Sequence, residues 1–146
     1  QAADVITIAG MGGETICTIL AAAPWLREGR RLILQPQSKV PELADWLWHN
    51  GFTIEDAALC RDAGKRYLAL RVLGRVAAQS CTVEQLLLRH RDPLLPEQLK
   101  EEIRRQKRAR AGMAHAKQTP EAALAALDAR LSELEACLKE VQTWQS

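Results

Sequence analysis

Glycines cluster at the end of an apolar run near the start of the chain, in the segment Ile8-Ala9-Gly10-Met11-Gly12-Gly13. Residues 4–9 before and into this segment are β-branched and nearly all apolar, a pattern typical of a buried parallel strand. Open parallel sheets bind ligands beyond the carboxyl ends of their strands, where glycines permit positive φ angles and a close approach of backbone to ligand. The residues of this turn that could therefore bind a ligand are Gly10, Met11, Gly12 and Gly13.

Two other interpretations of the glycines have to be weighed. A plain tight turn between a strand and a helix would explain them equally simply. A dinucleotide-binding fingerprint would need a glycine where the chain has Thr15, and an acidic residue at the end of the next strand, which instead reads Leu34-Gln35-Pro36. The sequence therefore disfavours a nicotinamide-dependent oxidoreductase.

Basic residues are concentrated between positions 100 and 117, where seven of them stand against two acidic residues, a net charge of +5. A solvated helix face and a phosphate-binding surface are both consistent with such a cluster, and its members are spread too widely around a helix to form one narrow stripe. No aromatic residue lies in the cluster, so base stacking by this helix is not expected. The candidate RNA-binding residues are Arg104, Arg105, Lys107, Arg108 and Arg110 on the helix, and Lys65 and Arg66 beside a hairpin turn.

The cysteines and histidines give no metal-binding pattern. Successive cysteines are 43, 21 and 56 residues apart, without a CxxC motif or a nearby pair of histidines. We therefore expect small buried thiols and no metal site.

Periodicity predicts alternating strands and helices in the first half of the chain. This alternation indicates a parallel sheet with crossover helices, and the last two strands, which have only a polar turn between them, should form an antiparallel hairpin at the sheet edge. Pro24 should kink the first helix or end it early, and Trp25, on the inner face of that helix, should lie in the core. The expected elements are strands at 4–9, 31–36, 52–59 and 66–73, helices at 14–27 and 41–49, and a turn at 61–65.

After Gly74 the pattern is helical. Thr82 and Gln85 have the spacing of a capping box, and a second helix should run from Pro96 to about Arg110, with Gly112 as a weak point. The last helix should begin with Thr119 as N-cap and Pro120 at its first position. Its apolar residues are spaced alternately three and four apart, as in a coiled coil: Leu124, Leu127, Leu131, Leu134, Leu138 and Val141.

This apolar stripe must pack on something, because each fully buried leucine contributes about 1.5 to 3 kcal/mol. The preceding helix offers Leu95, Leu99, Ile103 and Met113, which predicts an antiparallel helical hairpin and a monomer. A homodimer through the last helix is the competing interpretation.

Taken in order, these motifs resemble those of the bacterial tRNA (adenine(22)-N1)-methyltransferase family. The resemblance covers residues 4–73 and rests on IAGMGG, LILQP, LADWLWHNGFTI and a turn ending in GKRY. Gln37 stands where the family pattern leads us to expect asparagine, and Arg61 at or near the place of an acidic residue. The resemblance implies the C-terminal half of a Rossmann-like class I methyltransferase sheet followed by an α-helical coiled-coil hairpin, with a partial methyltransferase domain at 1–76 and a helical domain at 77–146.

The same resemblance implies the chemistry. The cofactor would be S-adenosylmethionine and the partner tRNA, with Gln35 and Pro36 joining the Gly10–Gly13 turn on the side of the target base. The glycine loop that binds the methyl donor, and the catalytic residues, are expected upstream of this chain. A non-catalytic RNA-binding or interaction module built on a degenerate half-domain is the alternative.

The remaining expectations concern the type of chain and its location. Apolar residues make up 47% of the sequence and charged residues 26%, a globular composition that excludes a disordered chain. No run approaches the roughly 18 uncharged apolar residues of a membrane span, and residues 1–4 do not resemble a signal peptide. We therefore expect a cytoplasmic protein without membrane contact.

Overall fold

The computed structural model describes residues 5–77, 81–116, 118 and 120–145. Four strands and five α-helices follow one another, with a 3-10 turn at Pro24–Arg27 and another at Thr143–Gln145. Packing divides the chain into two compact units, Gln1–Arg89 and His90–Ser146, called here the sheet unit and the helical unit. The elements are β1 (Val5–Met11), α1 (Gly13–Ala21), β2 (Arg31–Pro36), α2 (Val40–His49), β3 (Thr53–Asp62), β4 (Lys65–Leu73), α3 (Val83–Arg89), α4 (Leu95–Ala114) and α5 (Glu121–Gln142).

The four strands form one sheet in the order β1-β2-β4-β3. β1 and β2 are parallel and are connected through α1, whereas β4 is antiparallel to both β2 and β3. The predicted α/β sheet is confirmed, and so is the antiparallel hairpin at its edge, with β3 outermost.

Alternation along the strands places the core of the sheet unit on one face. Leu32 lies opposite Val72 and Leu34 opposite Leu70, and all four side chains are fully buried. Arg31 and Arg71, which alternate with them, are exposed. The helices α1 and α2 contact each other and contribute four equally buried side chains: Ile16, Leu20, Leu43 and Leu47.

The first helix is shorter than its periodicity suggested. α1 ends at Ala21, and Pro24 begins a separate 3-10 turn instead of continuing the helix. Trp25 was expected in the core on the inner face of that helix, and this expectation is wrong, since its side chain is 51% exposed. The 3-10 turn changes the direction of the side chains that follow Pro24. Trp25 therefore does not continue the buried face of α1, as an uninterrupted helix would require.

The sheet unit extends through α3. The backbone N–H of Thr82 donates to Oε1 of Gln85 at 2.9 Å, and the backbone N–H of Gln85 donates to Oγ1 of Thr82 at 3.1 Å. This reciprocal pair confirms the predicted capping box. Because α3 packs against β3, it belongs with the sheet, and the division into domains at residues 76 and 77 remains a prediction.

In the helical unit, α4 and α5 pack against each other. The buried side chains are Leu95, Leu99 and Ile103 on α4 and Leu131, Leu134 and Val141 on α5. Two ion pairs join the helices in antiparallel order, from Lys107 to Glu135 and from Arg110 to Asp128. A paired hairpin is thus observed, whereas its coiled-coil character remains a prediction.

The ends of these helices differ in detail from the expectation. The side chain and carbonyl of Asp92 accept hydrogen bonds from the backbone N–H groups of Leu94 and Leu95, both at 3.0 Å, and so start α4. α4 then continues through Gly112 to Ala114, beyond its predicted end. Pro120 precedes the first helical residue of α5 instead of occupying it, and Thr119 lies outside the described residues.

The ion pair between Arg110 and Asp128 leads us to expect a pH-dependent stability. Arg110 donates to both carboxylate oxygens, at 2.5 and 3.3 Å, and this hydrogen bonding holds the pKa of Asp128 below its ordinary value of 3.8. A carboxyl group with a lowered pKa stabilises the folded state above its unfolded pKa, and the contribution is lost as the pH falls through the folded value. We expect Asp128→Asn to lower the thermal midpoint slightly at neutral pH and to have no effect well below pH 3.8.

The matched control is Glu140→Gln, which neutralises an exposed carboxyl group in the last turn of the same helix. It should not lower the midpoint at neutral pH, because a carboxylate at the C-terminal end of a helix opposes the helix dipole. If Asp128→Asn also lowered the thermal midpoint in acid, the cause would be a loss of packing and not a loss of charge.

Candidate functional site

Two chain turns lie side by side where the parallel strands β1 and β2 end. Residues 9–13 lead from β1 into α1, and residues 35–39 lead from β2 into α2; together they are called here the paired-turn site. Ala9 is in register with Gln35 and Met11 with Pro36. The Met11 carbonyl accepts a hydrogen bond from the N–H of Gln37 at 2.9 Å, and the N–H of Gly13 donates to the carbonyl of Ser38 at 2.8 Å.

Gly10 is the extra residue of a β-bulge within this register, with a φ of 76°. A side chain added there would meet nothing within 4 Å, so the backbone of Gly10 borders open space. Met11 beside it is 37% exposed. Bulges of this kind redirect a strand end and are frequent beside binding sites.

Gly12 and Gly13 lie where the two turns approach each other most closely. A Cβ atom on Gly13 would lie 2.6 Å from the carbonyl oxygen of Lys39 and 2.8 Å from that of Ser38, and one on Gly12 would lie 2.8 Å from Oγ of Ser38. These two glycines let the turns touch each other, as the plain-turn interpretation suggests for them. Of the four residues of the first turn, Gly10 and Met11 are the exposed ones.

The other two predicted residues of this site differ in burial. Gln35 is half-buried and alternates with the core residues of β2, whereas Pro36 is buried on the core side of the strand. The structure thus brings all six predicted residues to one end of the sheet. Within that group the ring of Pro36 contributes to packing, and the exposed positions are Gly10 and Met11.

The β3–β4 hairpin extends past the same end of the sheet. β4 pairs with β2 only from Leu70 to Leu73, but its pairing with β3 continues to Asp62 and Lys65. The two-residue turn has positive φ at both Ala63 and Gly64, 49° and 78°, as a type I′ hairpin requires. The paired residues beyond β2 therefore form a two-stranded ribbon, residues 58–69, that projects roughly 15 Å past the end of β2.

Register places a third basic residue, Arg61, on this ribbon. Arg66 lies directly opposite Arg61, so both side chains are on one ribbon face, and the exposed Lys65 is on the other. Arg61 was not among the predicted RNA-binding residues. The two-residue turn was the missed signal, because it fixes the register that pairs position 61 with position 66.

The predicted basic cluster on α4 divides into two groups. Arg105 pairs with Glu102 of the same helix, and Lys107 pairs with Glu135 at 3.5 Å; Arg110 is engaged by Asp128. α4 carries six basic and three acidic residues, a net of +3, whereas α5 carries two basic and five acidic residues, a net of −3. The acidic partner helix therefore balances most of the cluster, which favours the solvated-face interpretation for these three residues.

Arg104 and Arg108 form the second group. They are four residues apart, so they lie on the same exposed face of α4. Nε of Arg104 donates to the carbonyl of Lys100 at 3.4 Å, which aligns that side chain along the helix. Of the five predicted cations on α4, these two are the best placed to meet an RNA phosphate.

The cysteines are less buried than expected. Cys17, Cys81 and Cys137 are half-buried and Cys60, on the ribbon, is exposed, so the prediction of buried thiols is wrong for Cys60. Burial raises the pKa of the Cys17 thiol, which keeps it protonated and unreactive at neutral pH. In the described parts of the chain, no group of three or more histidine, cysteine, aspartate or glutamate residues is arranged to hold a metal ion.

None of the helices in the described part of the chain combines the length and the apolar character that crossing a bilayer requires.

Comparison with known proteins identifies relatives of both the sequence and the fold. Residues 1–136 match the family model described as tRNA (adenine(22)-N(1))-methyltransferase. A protein of that name from Bacillus subtilis is 41% identical over 69 residues, which is 47% of this chain and 29% of the relative. The chain thus spans under a third of the length of this curated relative.

Solved structures resemble the fold over most of the chain. The Streptococcus pneumoniae protein Sp1610, assigned as a tRNA (m1A22) methyltransferase and solved in complex with S-adenosyl-L-methionine, is 26% identical with a TM-score of 0.69, covering 92% of this chain and 60% of that one. The Bacillus subtilis M1A22 tRNA methyltransferase TrmK matches with a TM-score of 0.72 at 24% identity, covering 92% of this chain and 63% of that one, a likeness of fold. With the family model matched over residues 1–136, this chain belongs to the tRNA (adenine(22)-N(1))-methyltransferase family.

Proposed function

We propose that the protein containing this chain transfers a methyl group from S-adenosylmethionine to N1 of adenine 22 in tRNA. The observation that carries the proposal is the family match over residues 1–136. The position of the paired-turn site supports it, since it lies at the carboxyl ends of parallel strands, where sheets of this type bind their ligands.

The reaction requires little acid–base chemistry from the protein. The lone pair of adenine N1 forms a bond to the methyl carbon while the bond from that carbon to sulfur breaks, and the positive charge passes from sulfonium to adenine. S-adenosylmethionine supplies the electrophilic methyl group. Because no proton must leave N1, holding the base in line with that methyl group could provide most of the rate enhancement.

The paired-turn site supplies what such positioning needs. Gly10 and Met11 are exposed in the turn, and a flat base can approach the backbone of Gly10 closely because no side chain stands there. We assign these two residues to the edge of the target adenine, and Gly12, Gly13, Gln35 and Pro36 to holding the turns in place. The donor-binding loop and the catalytic residues are assigned to the rest of the protein, since relatives are longer than this chain.

The ribbon and α4 are the proposed contacts to RNA. Arg61 and Arg66 lie opposite each other on one face of the ribbon, so a phosphate group bound between them would contact both guanidinium groups. Lys65, Arg104 and Arg108 are exposed cations that could bind further phosphates. An adenine inside folded tRNA must also be unstacked to reach the paired-turn site.

Two properties of the whole protein belong to the same proposal. Its tRNA substrate places its action in the cytoplasm. We expect a monomer, because Leu131, Leu134 and Val141 of α5 are already buried within this single chain, which leaves less apolar surface for a homodimer through that helix.

The test is tritium transfer from labelled S-adenosylmethionine to an unmodified tRNA transcript, using the full-length gene product. We expect incorporation that is abolished when adenine 22 is replaced by guanine. Reverse transcription of the product should stop one nucleotide before position 22, since N1-methylation blocks the pairing edge of adenine.

Two controls separate the proposal from its alternative. An adenine at a neighbouring position is replaced in a second transcript, which should still accept the label. If the full-length protein binds tRNA but labels none of its adenines, the enzyme proposal fails and a non-catalytic RNA-binding module takes its place.

A further inference from the structure

At the opposite end of the sheet from the paired-turn site, the segment 25–31 meets the residues that follow β4. The N–H of Gly29 donates to the carbonyl of Gly74 at 3.0 Å, and the N–H of Gly74 donates to the carbonyl of Arg30 at 2.8 Å. A side chain on Gly74 would overlap the backbone of Leu26. The two segments are thus fixed against each other by backbone contacts.

Four arginines lie on or beside this junction, against one acidic residue, a net charge of +3. With Trp25 they are called here the arginine end: Arg27, Arg30, Arg31 and Arg75, with Glu28 between them. The guanidinium of Arg75 lies against Gly29, with Nη2 3.3 Å from the place of an added Cβ atom. Arg31 and Arg75 are exposed and Arg30 is half-exposed.

Among these arginines, Arg27 is tied by its side chain to the connection from α2 to β3. Nε of Arg27 donates to the carbonyl of Asn50 at 2.6 Å, and its guanidinium lies 5.5 Å from the ring centre of Phe52. Within residues 5–77 none of the four arginines forms an ion pair. This differs from α4, where carboxylates of the helical unit engage most of the predicted cations.

Trp25 adds an aromatic surface to this charge. Its side chain is 51% exposed, and the guanidinium of Arg30 is 6.0 Å from its ring centre. A tryptophan side chain can bury a large apolar area when it meets a partner. Because half of Trp25 is exposed beside several arginines, this surface suits a partner that is both anionic and planar. Single-stranded RNA presents phosphates and base faces together.

We propose that the arginine end is a second RNA-binding surface, where Arg30, Arg31 and Arg75 bind phosphates and Trp25 stacks on a base. This inference rests on the proposed function, because it takes the partner to be the RNA substrate. β2 separates the two ends of the sheet by roughly 17 Å, a distance much smaller than a folded tRNA. One tRNA molecule can therefore contact the arginine end while its target adenine is at the paired-turn site.

The test measures methylation of tRNA by the full-length protein with Arg30→Glu and Arg75→Glu, singly and together. Neither side chain has an ion-pair partner to lose among the described residues, so thermal midpoints should stay near that of the unsubstituted protein. We expect KM for tRNA to rise at least 10-fold in the double variant, with the larger effect on KM and not on kcat. The log-log dependence of tRNA affinity on salt should become shallower by about 0.7 to 0.9 for each lost contact.

Lys139→Glu is the matched control, since it makes the same change of charge at an exposed position of α5. It should leave KM and the salt dependence as they are. Trp25→Ala tests the stacking contact separately and should raise KM at least about 5-fold, whereas Trp25→Phe should retain much of the affinity.

The outcomes distinguish this inference from the proposed function. Absence of methylation by the unsubstituted protein would overturn the proposed function itself. An active protein whose double variant keeps the original KM and salt dependence would overturn the inference alone, and would leave the arginine end to an acidic protein partner or to solvent. A fall in kcat at unchanged KM would also overturn it, because that result assigns the arginines to the fold of the sheet.

Discussion

Replacing Gly74 with alanine is expected to lower the thermal midpoint of the protein more than any other exchange of glycine for alanine in the sheet unit. An added methyl group would overlap the carbonyl oxygen of Leu26 and lie 2.7 Å from its carbonyl carbon and 3.0 Å from the Cα atom of Arg27. All three obstacles are backbone atoms, which cannot turn aside as a side chain can. The segment 26–27 must shift as a whole, and the two hydrogen bonds of Gly74 with Gly29 and Arg30 would be strained.

The size of the effect follows from this geometry. Overpacking a site that cannot relax lowers the free energy of unfolding by about 1 to 3 kcal/mol and sometimes more. Because the obstacles at Gly74 are backbone atoms, we expect Gly74→Ala to lower it by about 3 kcal/mol. For a domain of 150 to 250 residues each kcal/mol shifts the midpoint by about 2 to 4 °C. We therefore expect a loss of roughly 6 to 12 °C, measured by circular dichroism or calorimetry of the full-length protein.

Gly112→Ala provides a control of the same chemical change. Gly112 lies inside α4 with open space around the added methyl group, and alanine is a better helix former than glycine by about 1 kcal/mol. This variant should be slightly more stable than the original protein. If Gly74→Ala melted within a degree of the unsubstituted protein, the segment 26–27 would have to be movable, and the arginine end would lose its fixed platform.

The contact at Gly74 could not be predicted from the sequence, because a glycine after a strand usually marks only the end of an element. Its necessity comes from Leu26, which is far away along the chain. The exposure of Trp25 was missed for a related reason, since the helical pattern was extrapolated past Pro24 into a turn with a different phase. In contrast, the four strands, the hairpin and the capping box at Thr82 depend on neighbouring residues, and their existence was predicted correctly. The details differ, because β1 is mostly exposed instead of buried, and β3 and β4 extend into the turn predicted at 61–65.

The candidate site shows the same division between local and long-range information. The rule that parallel strands end at one edge of a sheet brought Gly10–Gly13 and Gln35–Pro36 together correctly. The balance of charge on α4 depends on which face of α5 it meets, and the partnership of Arg110 with Asp128 is invisible until the helices are paired. Arg61 could have been found, because the register of a two-residue hairpin is a local property.

Gly13→Ala is expected to reduce methyl transfer sharply, with a smaller effect on stability. The added methyl group would lie 2.6 and 2.8 Å from the carbonyl oxygens of Lys39 and Ser38 and 3.2 Å from Cβ of Leu43. The turn after β1 would have to move away from the turn after β2, taking Gly10 and Met11 with it. A displacement of about 1 Å at a reacting centre can cost about 100-fold in rate, so we expect kcat/KM for tRNA to fall by roughly that factor.

Gly12→Ala is the matched comparison, one residue earlier in the same turn. Its added methyl group meets only Oγ of Ser38, at 2.8 Å, and a serine hydroxyl can rotate to another position. We expect less than about a 10-fold loss of kcat/KM, recovered when Ser38→Ala is introduced as well, whereas Ser38→Ala should not recover Gly13→Ala, because its obstacles are backbone carbonyls. Equal losses for the two glycine variants would mean that the distance between the turns does not control the reaction, and the adenine would then have to be positioned by residues elsewhere in the protein.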